Sequence, residues 1–329
     1  MYKKLILVTA LLAFGVIVLG AYVRLSDAGL GCPDWPGCYG KLSPAHAAEH
    51  IAQAEAAQPG GSVSAPKAWK EMVHRYFAST LGLFIVIIGV MAWVKRDKRM
   101  QGVGLPTFLI VLVVLQGLLG MWTVTLLLKP VIVTLHLLGG LTTLALLVWL
   151  GLRQSRDIPE MRTQDAAGMK TWALTALAVV FIQIALGGWV SSNYAALACA
   201  DFPACNGAWW PEMDFSHAFH FTRELGKTAQ GELLSLASLT AIHWAHRAGA
   251  LITFLLLAAL VFKMLRIPAL AKLGGVIGLV LVTQVSLGIA NVLFSLPLPV
   301  AVAHNGVAAL LLLTLVILNF RLTKALKRT

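Results

Sequence analysis

The sequence predicts an all-α polytopic membrane protein. Its eight transmembrane helices form two pseudo-symmetric, parallel four-helix bundles, with the N and C termini cytoplasmic. Three observations carry this expectation. Of 329 residues, 58% are hydrophobic and only 12% are charged, a balance outside the range of water-soluble domains. Apolar runs long enough to cross about 30 Å of hydrocarbon recur along the whole chain. The stretch 20–38 also reappears at 187–205, the signature of an internal repeat.

The apolar runs fall near 5–23, 73–94, 105–127, 131–152, 171–190, 240–262, 273–294 and 299–320. The first follows Tyr2-Lys3-Lys4 and resembles a signal peptide, but it is full length and no small-residue cleavage site follows it, so it is read as the first helix. Seventeen of the 26 basic residues lie at one set of helix ends, among them Lys3, Lys4, the "KRDKR" run at 95–99, Arg153, Arg156, Arg162 and the tail from Arg321 to Arg328. Only four acidic residues, Asp97, Asp157, Glu160 and Asp165, accompany them. The net charge of +12 is therefore a topology signal: the basic side is cytoplasmic. It gives no support to a nucleic-acid partner.

Two long segments, 24–72 and 191–239, then fall on the outer face and contain all four cysteines. A bacterial inner membrane, with these loops periplasmic, suits that placement because disulfides persist there. The stretch 43–68, "SPAHAAEHIAQAEAAQPGGSVSAPKA", is expected to be mobile or only partly helical. Its His46 and His50, four residues apart, have the spacing of a surface metal site but are read as solvated loop histidines.

Aligning "GAYVRLSDAGLGCPDWPGC" with "GGWVSSNYAALACADFPAC" at an offset of 167 matches Cys32 with Cys199 and Cys38 with Cys205. Aligning "QGLLG" at 116–120 with "QVSLG" at 284–288 carries His136 onto His304. The chain thus divides into an N-terminal half, 1–152, a cytoplasmic linker, 153–170, and a C-terminal half, 171–329. Each half crosses four times from the same side, so their pseudo-twofold axis runs along the membrane normal. A Leu-Gly pair recurs in all four odd-numbered helices, at Gly20, Gly120, Gly187 and Gly288. These helices are expected to form the central seam, where glycine lets backbones approach.

The second helix of each half begins with His-Arg, His74-Arg75 and His246-Arg247, and the fourth carries His136 or His304. All four histidines lie within about two turns of the outer helix ends. Ionisable groups in a membrane are costly and usually functional, and two at one depth, twice over, form a ligand pattern. Zinc and copper sites recruit three or four donors in a compact cluster. Two imidazoles on separate apolar helices suit the two axial positions of a haem. Small residues one turn on, Ala78, Gly139, Gly140, Gly249, Ala250 and Ala308, leave space for a ring plane. Arg75 and Arg247 are candidate bidentate donors to haem propionates, against a simpler role as interfacial anchors.

The repeat breaks at one informative position: Glu71 precedes His74 where His243 precedes His246. Three residues apart on one helical face, Glu71 is the candidate catalytic residue, moving a proton or holding charge beside an oxidation site. The competing role is a helix cap. The cysteines repeat as C-x5-C, and two arrangements stay open. Both loops together have enough ligands for a zinc ion, but a disulfide within each loop is simpler on the oxidising side.

With "E-x-x-H-R", "TLHLLGG", "HWAHR" and "VAHNGV" assembled, the chain resembles the heme A synthase family over essentially its whole length. The resemblance implies oxidation of a methyl group of haem O, through hydroxylation, to the formyl group of haem A for terminal oxidases. It implies that His246 and His304 ligate a resident haem b, that His74 and His136 hold the substrate haem, and that Glu71 is important for the oxidation. Direct handover of haem O from haem O synthase and an outside electron acceptor are the partners expected, within membrane lipid. Two histidine ligands leave no open iron position for O2, which favours water as the oxygen source. The main rival is a di-haem cytochrome b that only passes electrons; a transporter would need a polar midplane path, which these helices lack.

Overall fold

A computed structural model describes residues 1–94, 102–155 and 161–327. The basic run 95–99, Arg156, Asp157, Glu160 and Arg328 lie outside the described residues. Eight long apolar helices account for the eight runs: α1 Tyr2–Leu25, α2 Ala65–Val94, α3 Gly104–Thr125, α4 Pro130–Arg153, α5 Thr163–Ser192, α6 Leu236–Leu265, α7 Pro268–Leu293 and α8 Leu298–Leu326. Each has the length and composition to cross a membrane. Proline in the first turn of α4, α7 and α8 pre-sets φ where no intrahelical N–H partner exists.

Several helices outrun their apolar cores. α2 begins at Ala65, α5 at Thr163 and α6 at Leu236, so the 43–68 stretch is partly helical: it holds a short turn Pro44–Ala47, a helix Ala48–Ala57 and the first residues of α2. Hydropathy alone misses these polar ends because a helix continues for as long as its backbone bonds close.

The connections repeat in backbone conformation. The turns after α3 and α7 each contain two consecutive left-handed residues, Leu127 and Leu128, then Ser295 and Leu296. Asp27 and Tyr194, and Tyr39 and Asn206, are likewise left-handed at matching places in the two cysteine-bearing loops. The closing bonds recur as well: Leu128 N–H donates to Thr123 O (2.8 Å) and Leu296 N–H to Asn291 O (2.7 Å).

Within the first half α1 packs on α2, α2 on α3, α3 on α4 and α4 on α1; α5 to α8 close a ring in the same order. The halves meet through α1 with α8, α4 with α5 and α4 with α8. This corrects the expectation of an odd-helix seam: α3 and α7, although they carry the Leu-Gly pair, stand away from it. One buried apolar cluster, with Ile6, Ala13, Leu144 and Leu147 from the first half and Ala176 and Leu315 from the second, runs through both halves. Contacts of this kind, with small residues among them, hold helices together in lipid, where the solvent is itself apolar.

Polar ties secure the seam at the end that carries the cysteine-bearing loops. Arg24 Nη2 donates to Ser191 O (2.7 Å) and its guanidinium lies over the Tyr194 ring, 4.0 Å from the centroid. The Thr134 and Ser192 hydroxyls are 3.3 Å apart, both side chains buried.

Candidate haem-ligand sites

Each of the four histidines is seated against one of the four repeated glycines. A Cβ added to Gly20 would lie 3.0 Å from His74 Cε1; at Gly187 it would lie 3.1 Å from His246 Cε1, at Gly288 3.1 Å from His304 Cε1, and at Gly120 3.4 Å from His136 Cε1. Even-numbered helices therefore supply the imidazoles and odd-numbered helices the space for them. The glycines were legible in the sequence, but their purpose is to admit a ring rather than a neighbouring backbone. The glycines one turn after the ligands serve another side chain: a Cβ at Gly139 would collide with the Gln116 amide and one at Gly249 with the Gln183 amide.

The rings of His74 and His136 lie within electrostatic reach of each other, as do those of His246 and His304. Nδ1 of His74, His136 and His304 is buried without a protein hydrogen-bond partner among the described residues. An orphaned buried ring nitrogen is costly, and three of them among these four histidines fit a set of donors for a metal-centred group. Two imidazoles in a glycine-lined slot meet the steric and electronic needs of bis-histidine haem ligation. Gln183 Nε2 sits 3.0 Å from His246 Nδ1 and donates to His246 O (2.9 Å); Gln284 Nε2 is 3.2 Å from His304 Nε2. These amides hold the orientation of the two rings of the second bundle.

Above each site sits a disulfide-closed loop. Cys32 is bonded to Cys38 and Cys199 to Cys205, with Cα–Cα separations of 4.9 and 4.6 Å, and no cysteine is free. The disulfide arrangement holds and the shared zinc site does not form. Each loop turns around an aspartate. Asp34 accepts from the backbone N–H of Tyr39 and of Gly40 (2.6 and 2.7 Å), and Asp201 from those of Asn206 and Gly207. The Gly207 amide is the main cause that holds Asp201 below the ordinary carboxylate range, with help from Asn206. Neither aspartate was singled out in the sequence; their repetition in "CPDWPGC" and "CADFPAC" was the available signal.

Arg75 and Arg247 face these loops. Arg75 Nη1 donates to the carbonyls of Asp34 (2.8 Å), Pro36 (3.3 Å) and Gly37. Arg247 Nη1 donates to those of Asp201 and Ala204 (both 2.8 Å), and its Nη2 to Cys199 O (3.0 Å). Arg75 Nη1 and most of the Arg247 N–H groups are thus committed to clamping the loops over the histidines. Glu71 is 4% exposed and lies six residues inside α2, so it is not a cap. Its Oε2 accepts from Cys32 N–H (2.8 Å) and its Oε1 pairs with Arg75 Nη2. His46 instead bonds the Ser43 hydroxyl (3.0 Å) and His50 stacks on Tyr39.

Comparison with known proteins gives one family over almost the whole chain: residues 3–316 match the COX15-CtaA model, described as cytochrome oxidase assembly protein. A protein named heme A synthase from Shewanella oneidensis is 43% identical over 96% of this chain and 95% of its own length. Proteins of the same name from Caulobacter sp. (strain K31) and Halalkalibacterium halodurans are 28% and 27% identical, covering 93% and 75% of this chain and 92% and 78% of their own.

Proposed function

The chain belongs to the COX15-CtaA family of cytochrome oxidase assembly proteins, and from that premise we propose that it is a heme A synthase. It is a multi-pass membrane oxidoreductase that takes haem O as substrate and yields haem A. The observation that carries the site assignment is the fourfold pairing of histidine with glycine, arranged as one pair of imidazoles per bundle.

In this reading residues 1–152 form the substrate half, where His74 and His136 hold the substrate haem. Residues 171–329 form the cofactor half, where His246 and His304 ligate a resident haem b, with 153–170 as the linker. When bound, haem b supplies one-electron redox capacity. Glu71 keeps a carboxylate on the His74 side of the substrate bundle, fixed by Cys32 N–H and Arg75, and takes up the proton released as the methyl group is oxidised. Arg75 and Arg247 lock the disulfide loops down, excluding water from the outer ends of the bundles. The concentration of basic residues at one set of helix ends supports a cytoplasmic location for that side, with the disulfide loops periplasmic at a bacterial inner membrane. Haem O handed over from haem O synthase would then enter from the lipid phase, and the electrons leave to an acceptor outside the chain.

The test is to purify the protein in mild detergent from cells that make haem O, then identify the extracted haems by chromatography and mass. Haem b together with haem O, a hydroxylated intermediate or haem A is expected. Two equivalents of haem b alone, despite available haem O, would refute the assignment of the first bundle to substrate.

A further inference from the structure

The two bundles differ at one buried position. In α2, Glu71 receives Cys32 N–H on one carboxylate oxygen and Arg75 on the other. In α6, His243 receives the same two donors: Cys199 N–H is 3.2 Å from Nδ1 and Arg247 Nε–H is 3.3 Å from Nε2. A neutral imidazole has one N–H and one acceptor nitrogen, so it satisfies one of these donors where the carboxylate satisfies both. Glu71 is 4% exposed and His243 is 5% exposed, so water does not make up the difference.

The consequence is one of charge. The Arg75 guanidinium forms an ion pair with Glu71, and together they are formally neutral. Among the described residues Arg247 has only His243 and the carbonyls of Cys199, Asp201 and Ala204 as hydrogen-bond acceptors, and it keeps its full positive charge. The Asp201 carboxylate also acts on Arg247. It is half-buried in the loop, and half-buried Asp34 occupies the matching place in the first bundle; the difference between the bundles at this point is therefore the group at 71 and 243. Each arginine is the neighbour in sequence of a ligand histidine and within electrostatic reach of its ring.

We propose that the difference between Glu71 and His243 sets the reduction potentials of the two haem sites apart, with His243 making the C-terminal site the more readily reduced. Ferric haem carries one more positive charge than ferrous haem. An uncompensated guanidinium beside the ligand therefore disfavours the ferric form, and the low-dielectric interior screens it little. A guanidinium neutralised by a carboxylate exerts no such bias. His243 is thus a positioning residue that works through Arg247. This inference rests on the reading that His246 and His304 ligate a haem.

The test is a spectroelectrochemical titration of haem b in the full-length protein, comparing wild type, His243→Glu and His243→Gln. The place is already shaped for a carboxylate, and His243→Glu is expected to lower the midpoint potential, whereas neutral His243→Gln leaves it near wild type. An unchanged or raised midpoint in His243→Glu, or an equal fall in His243→Gln, would overturn the proposal, the latter because packing rather than charge would then be the cause. If His243→Glu does not fold, Glu71→Gln carries the test in the first bundle, where the midpoint of the haem held there is expected to rise; no rise refutes it. Persistence of the same titrating haem in His246→Ala would instead sink the ligand assignment, so the two failures are told apart.

Discussion

Replacing Gly187 or Gly288 by alanine asks whether the glycines exist to seat the imidazoles. The added methyl would lie 3.1 Å from Cε1 of His246 or His304, whereas ordinary contact begins near 3.4 Å. The ring must retreat by about 0.3 Å or tilt, and over-packing of this kind costs about 1–3 kcal/mol. If that cost falls on the ligand geometry, haem b is held roughly fivefold to a hundredfold more weakly, at about 1.4 kcal/mol per factor of ten. Alanine also returns up to about 1 kcal/mol of helix propensity, so the thermal midpoint of the protein moves little. The assay is the haem b content per polypeptide and its rate of loss to an external haem acceptor, alongside the melting temperature. The first bundle offers an internal gradient: Gly20→Ala, with a 3.0 Å contact to His74, should weaken substrate-haem retention more than Gly120→Ala, with 3.4 Å to His136. Wild-type retention in both Gly187→Ala and Gly288→Ala, or Gly120→Ala as the worst of the four, would refute the reasoning.

Other predictions address the frame around the sites. Arg24→Ala removes the bond to Ser191 O and the stacking on Tyr194; a loss of about 1–3 kcal/mol is expected, read as a lower melting temperature with both disulfides intact. The double substitution Cys32→Ser with Cys38→Ser opens a loop whose ends are six residues apart, costing about 2 kcal/mol. Amide exchange should then quicken around Glu71, whose partner Cys32 N–H belongs to that loop. Asp214, held below the ordinary carboxylate range chiefly by the Ser216 hydroxyl and also by His217 and Ser238, latches the second outer loop onto the start of α6. A depressed folded pKa means that this contribution is fully present above the unfolded carboxylate range and is lost only as pH falls through the lowered value. Protection of residues 214–218 should therefore persist at mildly acidic pH in wild type and be absent at neutral pH in Asp214→Ala; equal protection in the two would remove the latch.

The eight apolar spans, the repeat, the four helix-borne histidines and the cysteine pairs are all legible in the linear chain: they are hydropathy over one helix length, self-similarity between segments of the two halves, and an ionisable group or a cysteine spacing in a short run. The sequence also exposed an informative break in the repeat, Glu71 against His243, without saying what either side chain touches. Tertiary structure decided the rest, because it depends on which helix faces which. Leu-Gly motifs on α3 and α7 looked like seam residues until the packing order put α4 and α8 at the seam and turned those glycines toward His136 and His304. Arg75 and Arg247 stood beside candidate ligands in the sequence, yet Arg75 Nη1 and both Nη atoms of Arg247 reach carbonyls from residue 34 to 37 and from 199 to 204. A buried guanidinium takes the nearest fixed acceptors, and only the folded loop says where those are.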